Sequence, residues 1–437
     1  MPTNPVGLAV FVLIFGAVIV RQIVGRGPGI WLIFGLGAIA TIGLWVVTPS
    51  DGLAALEAGG PILIFLVALF LFAGGLERSG ALEHAARWLL HRAKQPEDLP
   101  WYLFVGFGLA SAFILNDALI LIAIPILFSI ARRLEIDPKP LLLTVAFAVT
   151  VGSALTPMGN PQNLLISISS GMAAPVTTYL EYLLLPIVAA LILGGLYLRH
   201  AFTPRLRGAR ERHAALRTKR VAAFPRGGWA RRLREHPVLI VFPATIGLVV
   251  GLELATSIFA TPGIAIWVPC AVGAGLLLAI TPGRTAIVRA VDLRILVLFA
   301  GLFVVVAGAL SAGIISAVER GLPIAGPGQP TAGLLGIAAT SLAGPQLFSN
   351  VPWVALQIPA LSHLGYGPTT PLAWVTLGAA STLAGNITIL GAASNLILVE
   401  RVERLGVRIR LGEFARSAIS IAAISVGLTL LALLAGL

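Results

Sequence analysis

The stretch Thr156-Pro-Met-Gly-Asn-Pro-Gln-Asn163 sets two prolines, a glycine and four polar residues in the middle of an otherwise apolar run. Proline removes a backbone donor and collides with the preceding turn, so it kinks or breaks a helix, and two prolines beside a glycine favour a break over a packed kink. Hydrocarbon offers backbone groups no partners, so non-helical chain survives at membrane depth only when buried in protein or lining a cavity. The stretch Gly385-Asn-Ile-Thr-Ile-Leu-Gly-Ala-Ala-Ser-Asn395 is likewise rich in small and polar residues. The two predict broken helices over 140–169 and 372–399. A break leaves free carbonyls on one half-helix and free N–H groups on the other, which together can hold an ion or solute.

The surrounding composition is that of a membrane protein. Of 437 residues, 57% are apolar and 11% charged, against roughly 25% charged in soluble domains. The stretches 6–20, 30–48, 61–75, 176–198, 237–252, 263–280, 295–310 and 417–436 are almost free of charge. Each is about long enough to cross a hydrocarbon core of ~30 Å. The first has no basic region before it and no small-residue cleavage site after it, and reads as a span, not a removable signal. The chain reads as an all-α polytopic protein of the inner (plasma) membrane.

Charge sets the expected topology. The net charge is +12, but Lys and Arg cluster in short segments between spans, as in orientation by the positive-inside rule and not as in nucleic-acid binding. With the basic connection 200–236 in the cytoplasm, spans are expected at 6–24, 30–48, 61–76, 140–169 and 176–199. After it they are expected at 237–255, 263–281, 294–312, 372–399 and 414–436. The apolar regions 100–134 and 331–364 remain. If each enters and leaves on one side, 29 of the 30 Lys and Arg are cytoplasmic, Arg320 alone lies outside, and both termini lie outside. If each crossed once, the 18 basic residues from Arg132 to Arg294 would change sides and the bias would collapse. Each region is therefore expected to be a helical hairpin or a close helix pair.

The two halves, 1–199 and 237–437, match weakly at an offset of 232–234 residues. Pro61-Ile-Leu-Ile-Phe pairs with Arg294-Ile-Leu-Val-Leu, and Asn116 with Pro125 pairs with Asn350 and Pro359. Thr156, Gly159 and Asn163 pair with Thr388, Gly391 and Asn395. Five spans per half is an odd number, so the second copy is expected to be inverted.

The candidate site combines the hairpin tips with the breaks: Asn116, Asp117, Thr156, Gly159, Asn160 and Asn163, with Ser349, Asn350, Asn386, Thr388, Gly391, Ser394 and Asn395. Asn offers both an acceptor and a donor to a ligand or a helix end. Of 18 acidic residues, Asp117 alone falls far from a predicted membrane edge. An intramembrane carboxylate by default marks an ion or proton path, and loss of water favours its protonated form. The second half has Val351 at the matching position, so coupling is expected to be asymmetric. No basic residue lies near either tip or break in the sequence. Glu77, Arg78 and Glu400 read as membrane-edge anchors, and 200–236 as a flexible linker touching anionic lipid.

Several chemistries are excluded. The single Cys270 permits neither an intrachain disulfide nor a cysteine metal cluster. No histidine spacing resembles a zinc or haem site, and no Walker-type loop is present, so ATP drive would require a separate cytoplasmic ATPase subunit. No cofactor is expected beyond a coupling ion, H+ or Na+.

At Leu115-Asn-Asp-Ala-Leu…Pro125, Arg132-Arg133, 156–163, Ser349-Asn-Val-Pro352 and Gly391-Ala-Ala-Ser-Asn395 the chain resembles the ion transporter superfamily of arsenite permeases, sodium/proton antiporters and dicarboxylate transporters. It is most similar to the arsenite-permease and anion-permease branch, over nearly its whole length. The resemblance implies a homodimerising scaffold domain and a transport domain, holding both hairpins and both broken helices, that moves as an elevator. Sodium-coupled dicarboxylate relatives carry Ser-Asn-Thr at both tips; here the tips are Leu-Asn-Asp and Ser-Asn-Val. The leading expectation is a proton-coupled exporter of arsenite, antimonite or a similar small oxyanion or hydroxide. A sodium/proton antiporter and an organic-anion transporter are the alternatives.

Overall fold

Chain that enters hydrocarbon must close its own backbone hydrogen bonds, and every apolar run here does so as helix. The computed structural model describes residues 4–24, 27–218, 228–259 and 263–436. Among these the protein is all-helical, without strands. In the first half the helices are α1 (Pro5–Val24), α2 (Ile30–Gly43), α3 (Pro49–Ser79), α4 (Ala81–Arg92), α5 (Leu99–Ser111), α6 (Asn116–Leu134), α7 (Lys139–Ser153), α8 (Pro161–Ser169) and α9 (Pro175–Leu206). The connection carries α10 (Arg210–Thr218) and α11 (Gly228–Glu235). The second half has α12 (Val238–Phe259), α13 (Trp267–Ile280), α14 (Thr285–Val288), α15 (Leu293–Ser311), α16 (Ile314–Gly321), α17 (Pro330–Phe348), α18 (Asn350–His363), α19 (Pro371–Ala384), α20 (Ala393–Glu403) and α21 (Leu411–Ala435). Six of these, α1, α3, α9, α12, α15 and α21, are long and apolar enough to cross a membrane. Shorter apolar helices are α2, α7, α13 and α19.

Packing partners recur between the halves. The first hairpin helices α5 and α17 lie on α7 and α19, respectively. The second hairpin helices pack across the halves, α6 against α20 and α18 against α8. On the other side of the molecule α2 packs on α15 and α13 on α3. Two turns match as well: Gly80 ends α3 with φ 65° and Gly313 precedes α16 with φ 70°. Each turns the chain sharply into a short helix, α4 or α16, in a conformation that costs a glycine little.

Two expected segments differ in extent. The span expected at 61–76 is the C-terminal part of α3, whose 31 residues correspond to about 46 Å of helix at 1.5 Å per residue, beyond a ~30 Å core. Thr48 caps its start by accepting from Asp51 N at 3.2 Å. The connection read as flexible is helical in its described parts and ion-paired to the body, whereas residues 219–227 lie outside the described residues. Arg199 meets Asp98 at 2.9 Å, Arg210 meets Glu97 at 2.7 Å and Arg212 meets Glu135 at 2.8 Å. A further carboxylate, the buried Glu253 of α12, caps α9 by accepting from Val176 N at 3.2 Å and Thr177 N at 2.8 Å.

The α5–α7 contact is backbone on backbone: a Cβ on Gly152 would collide with the Gly108 carbonyl, whereas one on Gly16 of α1 would meet nothing within 4 Å. Overpacking typically costs about 1–3 kcal/mol. Gly152→Ala is therefore expected to lower the melting temperature of the purified protein clearly, with Gly16→Ala leaving it unchanged.

Candidate functional site

The chain between α5 and α6 turns within four residues, 112–115, and puts Asn116 and Asp117 in the first turn of α6. Both are buried, 5% and 7% exposed. The tip is tied to the first break, residues 154–160, by Asn116 N donating to the Gly159 carbonyl at 3.0 Å. The Thr156 hydroxyl donates to the Ala112 carbonyl. Gly159 is wedged here, since a Cβ would lie 2.7 Å from the Ser111 carbonyl oxygen.

The second tip is tighter. Ser349 alone joins α17 to α18, at φ 66° and ψ 161°. That region is essentially glycine territory, and a side chain held there stores about 1–3 kcal/mol of strain, as functional sites often do. The Asn350 amide is satisfied when its nitrogen donates to the Gly391 and Ser381 carbonyls and its oxygen accepts from Gln162 Nε2 at 3.1 Å. Gln346 of α17 donates to the Ala384 carbonyl at 2.9 Å and accepts from the Thr388 hydroxyl at 2.8 Å. Each tip is thus hydrogen-bonded to the break of its own half.

The two breaks meet at Thr382. Its hydroxyl oxygen accepts from Asn160 Nδ2 at 3.1 Å and Gln162 Nε2 at 3.2 Å, and the hydroxyl donates to Asn163 Oδ1 at 3.1 Å. Asn160 caps α8 by accepting from Asn163 N at 2.8 Å, and Asn163 Nδ2 reaches the carbonyls of Ser153 at 3.2 Å and Thr156 at 3.3 Å. The free carbonyls that end α7 are largely occupied by these amides.

The second break, 385–392, is not filled in this way. Asn395 Nδ2 donates to the Gly385 carbonyl at 2.7 Å and Asn386 Nδ2 to the Phe147 carbonyl at 3.3 Å. Yet Asn386 Oδ1, Asn395 Oδ1 and Ser394 Oγ are buried with no hydrogen-bond partner among the described residues. An unsatisfied buried oxygen costs on the order of 1–3 kcal/mol. Oxygen atoms with no competing donor are also what a hard cation takes as ligands. No cysteine or histidine stands among the candidate residues.

Asp117 looks into a cavity of about 1200 Å³ bounded by α3, α6, α15 and α20. Its carboxylate makes no hydrogen bond or ion pair with the described residues. The wall carries Leu121, Pro125, Ser129 and Arg132, one face of α6 at helical spacing, opposite Gly74, Glu77 and Asp292. Arg133, Arg289, Arg294 and Arg401 also line it.

The sequence-predicted site residues lie at the tips, in the breaks or in the helical turn just after a break, and they do not form a single ring. Asn163, Ser394 and Asn395 lie in the first turns of α8 and α20, beyond the breaks, and Asp117 faces the cavity. Sequence reasoning missed Gln162, Thr382 and Gln346, which join the parts; the available signal was polar side chains within apolar helical runs. It took Arg132 and Arg133 only as part of the family resemblance, and it missed that Arg289, Arg294 and Arg401, far along the chain from Asp117, line the same cavity.

Apolar helices of spanning length, hairpins with polar tips, two interrupted helices and a solute-sized cavity at the first tip are the parts of a membrane transporter. The chain belongs to the citrate transporter family (CitMHS), whose model matches residues 10–384. An uncharacterized transporter of Mycobacterium tuberculosis is 26% identical over 403 residues, 90% of each chain. The silicon efflux transporter LSI3 of Oryza sativa is 26% identical over 424 residues, 84% of each. Among solved structures, the YdaH transporter of Alcanivorax borkumensis shares the fold with a TM-score of 0.58 at 15% identity, covering 98% of both chains. MtrF of Neisseria gonorrhoeae, described as an antimetabolite efflux pump, does so at 0.56 and 12% identity, covering 98% of this chain and 94% of that one.

Thr382→Val keeps the shape and deletes the hydroxyl that joins the two breaks, leaving two buried amides short of an acceptor. The expected loss is about 1–3 kcal/mol, read as a lower melting temperature together with weakened solute uptake. Thr376→Val, whose hydroxyl only bonds Leu372 O of its own helix at 2.7 Å, is the matched control with little effect.

Proposed function

We propose that this protein exports a small inorganic hydroxide or oxyanion, of the arsenite, antimonite or silicic acid kind, in exchange for protons that load on Asp117. The observation that carries the reading is Asp117 itself: a buried, unpaired carboxylate at a hairpin tip, facing a cavity wide enough for solute and water. An acid kept so deep without a partner is costly unless ion traffic uses it. Neutral hydroxides need only hydrogen bonds, which the Asn, Ser and Thr groups of the tips and breaks supply without fixed charge. Silicon efflux by LSI3 is of the same solute chemistry.

In this mechanism Asp117 takes a proton from outside, the solute binds from the cytoplasm, and the two compete. The halves act as inverted copies, with 200–236 cytoplasmic and both termini outside. The group bearing the hairpins and broken helices moves as an elevator against a scaffold through which two copies dimerise. The recurrent packing of α5 with α7 and α17 with α19 supports the duplication.

A sodium/proton antiporter is the second reading, favoured by the unpartnered oxygens of Asn386, Ser394 and Asn395. An organic-anion transporter is the third, favoured by the family description and the arginines of the cavity. Flux into proteoliposomes under imposed proton or sodium gradients separates them. Asp117→Asn is expected to abolish proton-driven arsenite flux while leaving arsenite exchange at equilibrium. Full proton-driven flux in that variant would remove the coupling assignment, and sodium-driven flux alone would favour the second reading.

A further inference from the structure

The cavity in front of Asp117 has a property that a path for neutral hydroxides does not need. Arg132, Arg133, Arg289, Arg294 and Arg401 reach it from the end of α6, the turn after α14, the start of α15 and the last turn of α20. Among the described residues none of the five has a carboxylate within ion-pair distance. Several arginines outside the cavity are held by partners, although Arg207, Arg284, Arg404, Arg410 and Arg416 likewise have no carboxylate within ion-pair distance among the described residues. Arg199, Arg205, Arg210 and Arg212 are paired with Asp98, Glu413, Glu97 and Glu135, and Arg78 donates to the Pro282 and Gly283 carbonyls at 2.8 Å. The cavity also holds Glu77 and Asp292, but Asp292 accepts from Arg294 N at 2.9 Å as a helix cap. Even with Glu77, Asp292 and Asp117 all ionised, the wall keeps a net positive charge. Orienting the chain in a membrane requires basic residues on one side. It does not require them gathered, unpaired, around one concavity. Low-dielectric walls lined by one sign of charge concentrate ions of the other sign, and guanidinium forks match the geometry of tetrahedral oxyanions.

We infer that this vestibule is an anion-collecting site, distinct from the tips and breaks, which gathers inorganic oxyanions in their ionised form before they reach Asp117. The inference rests on the oxyanion branch of the reading above and not on its neutral-hydroxide branch: a solute that is ionised at neutral pH is held here first, and a neutral hydroxide passes without being gathered. Phosphate-bearing lipid headgroups share this chemistry, and the test separates the two sources.

Ser129 is exposed on the vestibule wall, and the native Cys270 is fully buried, so Ser129→Cys supplies one reactive thiol. In phosphatidylcholine vesicles, labelling by an anionic methanethiosulfonate is compared with labelling by a cationic one, normalised to the free reagents' rates. A net charge of about +2 at ~8 Å predicts a preference for the anionic reagent of roughly tenfold at low salt, fading as salt screens it. Arg289→Gln with Arg401→Gln is expected to remove most of that preference. Arsenate, ionised at pH 7, is expected to slow labelling, and arsenite, uncharged there, to leave it unchanged. A preference near unity, or equal protection by arsenate and arsenite, would overturn the inference. So would loss of arsenate protection on adding a modest fraction of phosphatidylglycerol, which would make the vestibule a headgroup site. The labelling does not depend on turnover. Absence of oxyanion flux with the anion preference intact would count against the transport reading and not against the vestibule.

Discussion

Everything in this molecule is arranged around two places where the backbone stops being helix inside the packed interior. There the carbonyls and N–H groups of 154–160 and 385–392 cannot turn to water, and lipid gives them nothing. The hairpins answer that need. Asn116 N takes the Gly159 carbonyl, and Gln346 takes the Ala384 carbonyl that ends α19. The glycines Gly159 and Gly391 make room for the approach, each lying against the last turn of a broken helix and the adjoining hairpin helix. The hairpin and the break are therefore one unit, and neither would be stable at that depth alone.

The two units are not equivalent. Amides of Asn160 and Asn163 occupy the carbonyls of the first, which closes on itself and on Thr382. The second keeps the Asn386, Ser394 and Asn395 oxygens unspent, while the strained Ser349 holds its tip in place. The acid, by contrast, belongs to the first half. The two halves thus differ in chemistry: the first carries the unpaired carboxylate and a filled break, the second the unfilled polar atoms.

Much of this was legible in the chain because prolines and small polar residues in apolar runs have few physical explanations. The breaks, the tip residues and the hairpin regions were marked by Pro157, Pro161, Asn116 and Asn350 against featureless surroundings. What was not legible was convergence. Thr382 looks like an unremarkable threonine in α19, and only the fold brings it against Asn160 and Gln162. The arginines were read one loop at a time as orientation signals, since no local pattern reveals that α3, α6, α15 and α20 share a cavity. Boundaries moved for a similar reason. Asn163 and Asn395 can sit inside α8 and α20 because a helix's first turn, like a break, has N–H groups to spare.

Glu253 has a bearing on motion. It sits in α12, among the helices that pack with α13 and α3, and it caps α9, which packs with α5 and α21. A carboxylate bonded to two backbone amides is held more firmly than a neutral cap. Sliding of α9 past α12 would have to tear this joint first and find water or a proton for the exposed acid. The joint therefore pins the start of α9 to α12, and the two hydrogen bonds would have to be lost together for the helices to part.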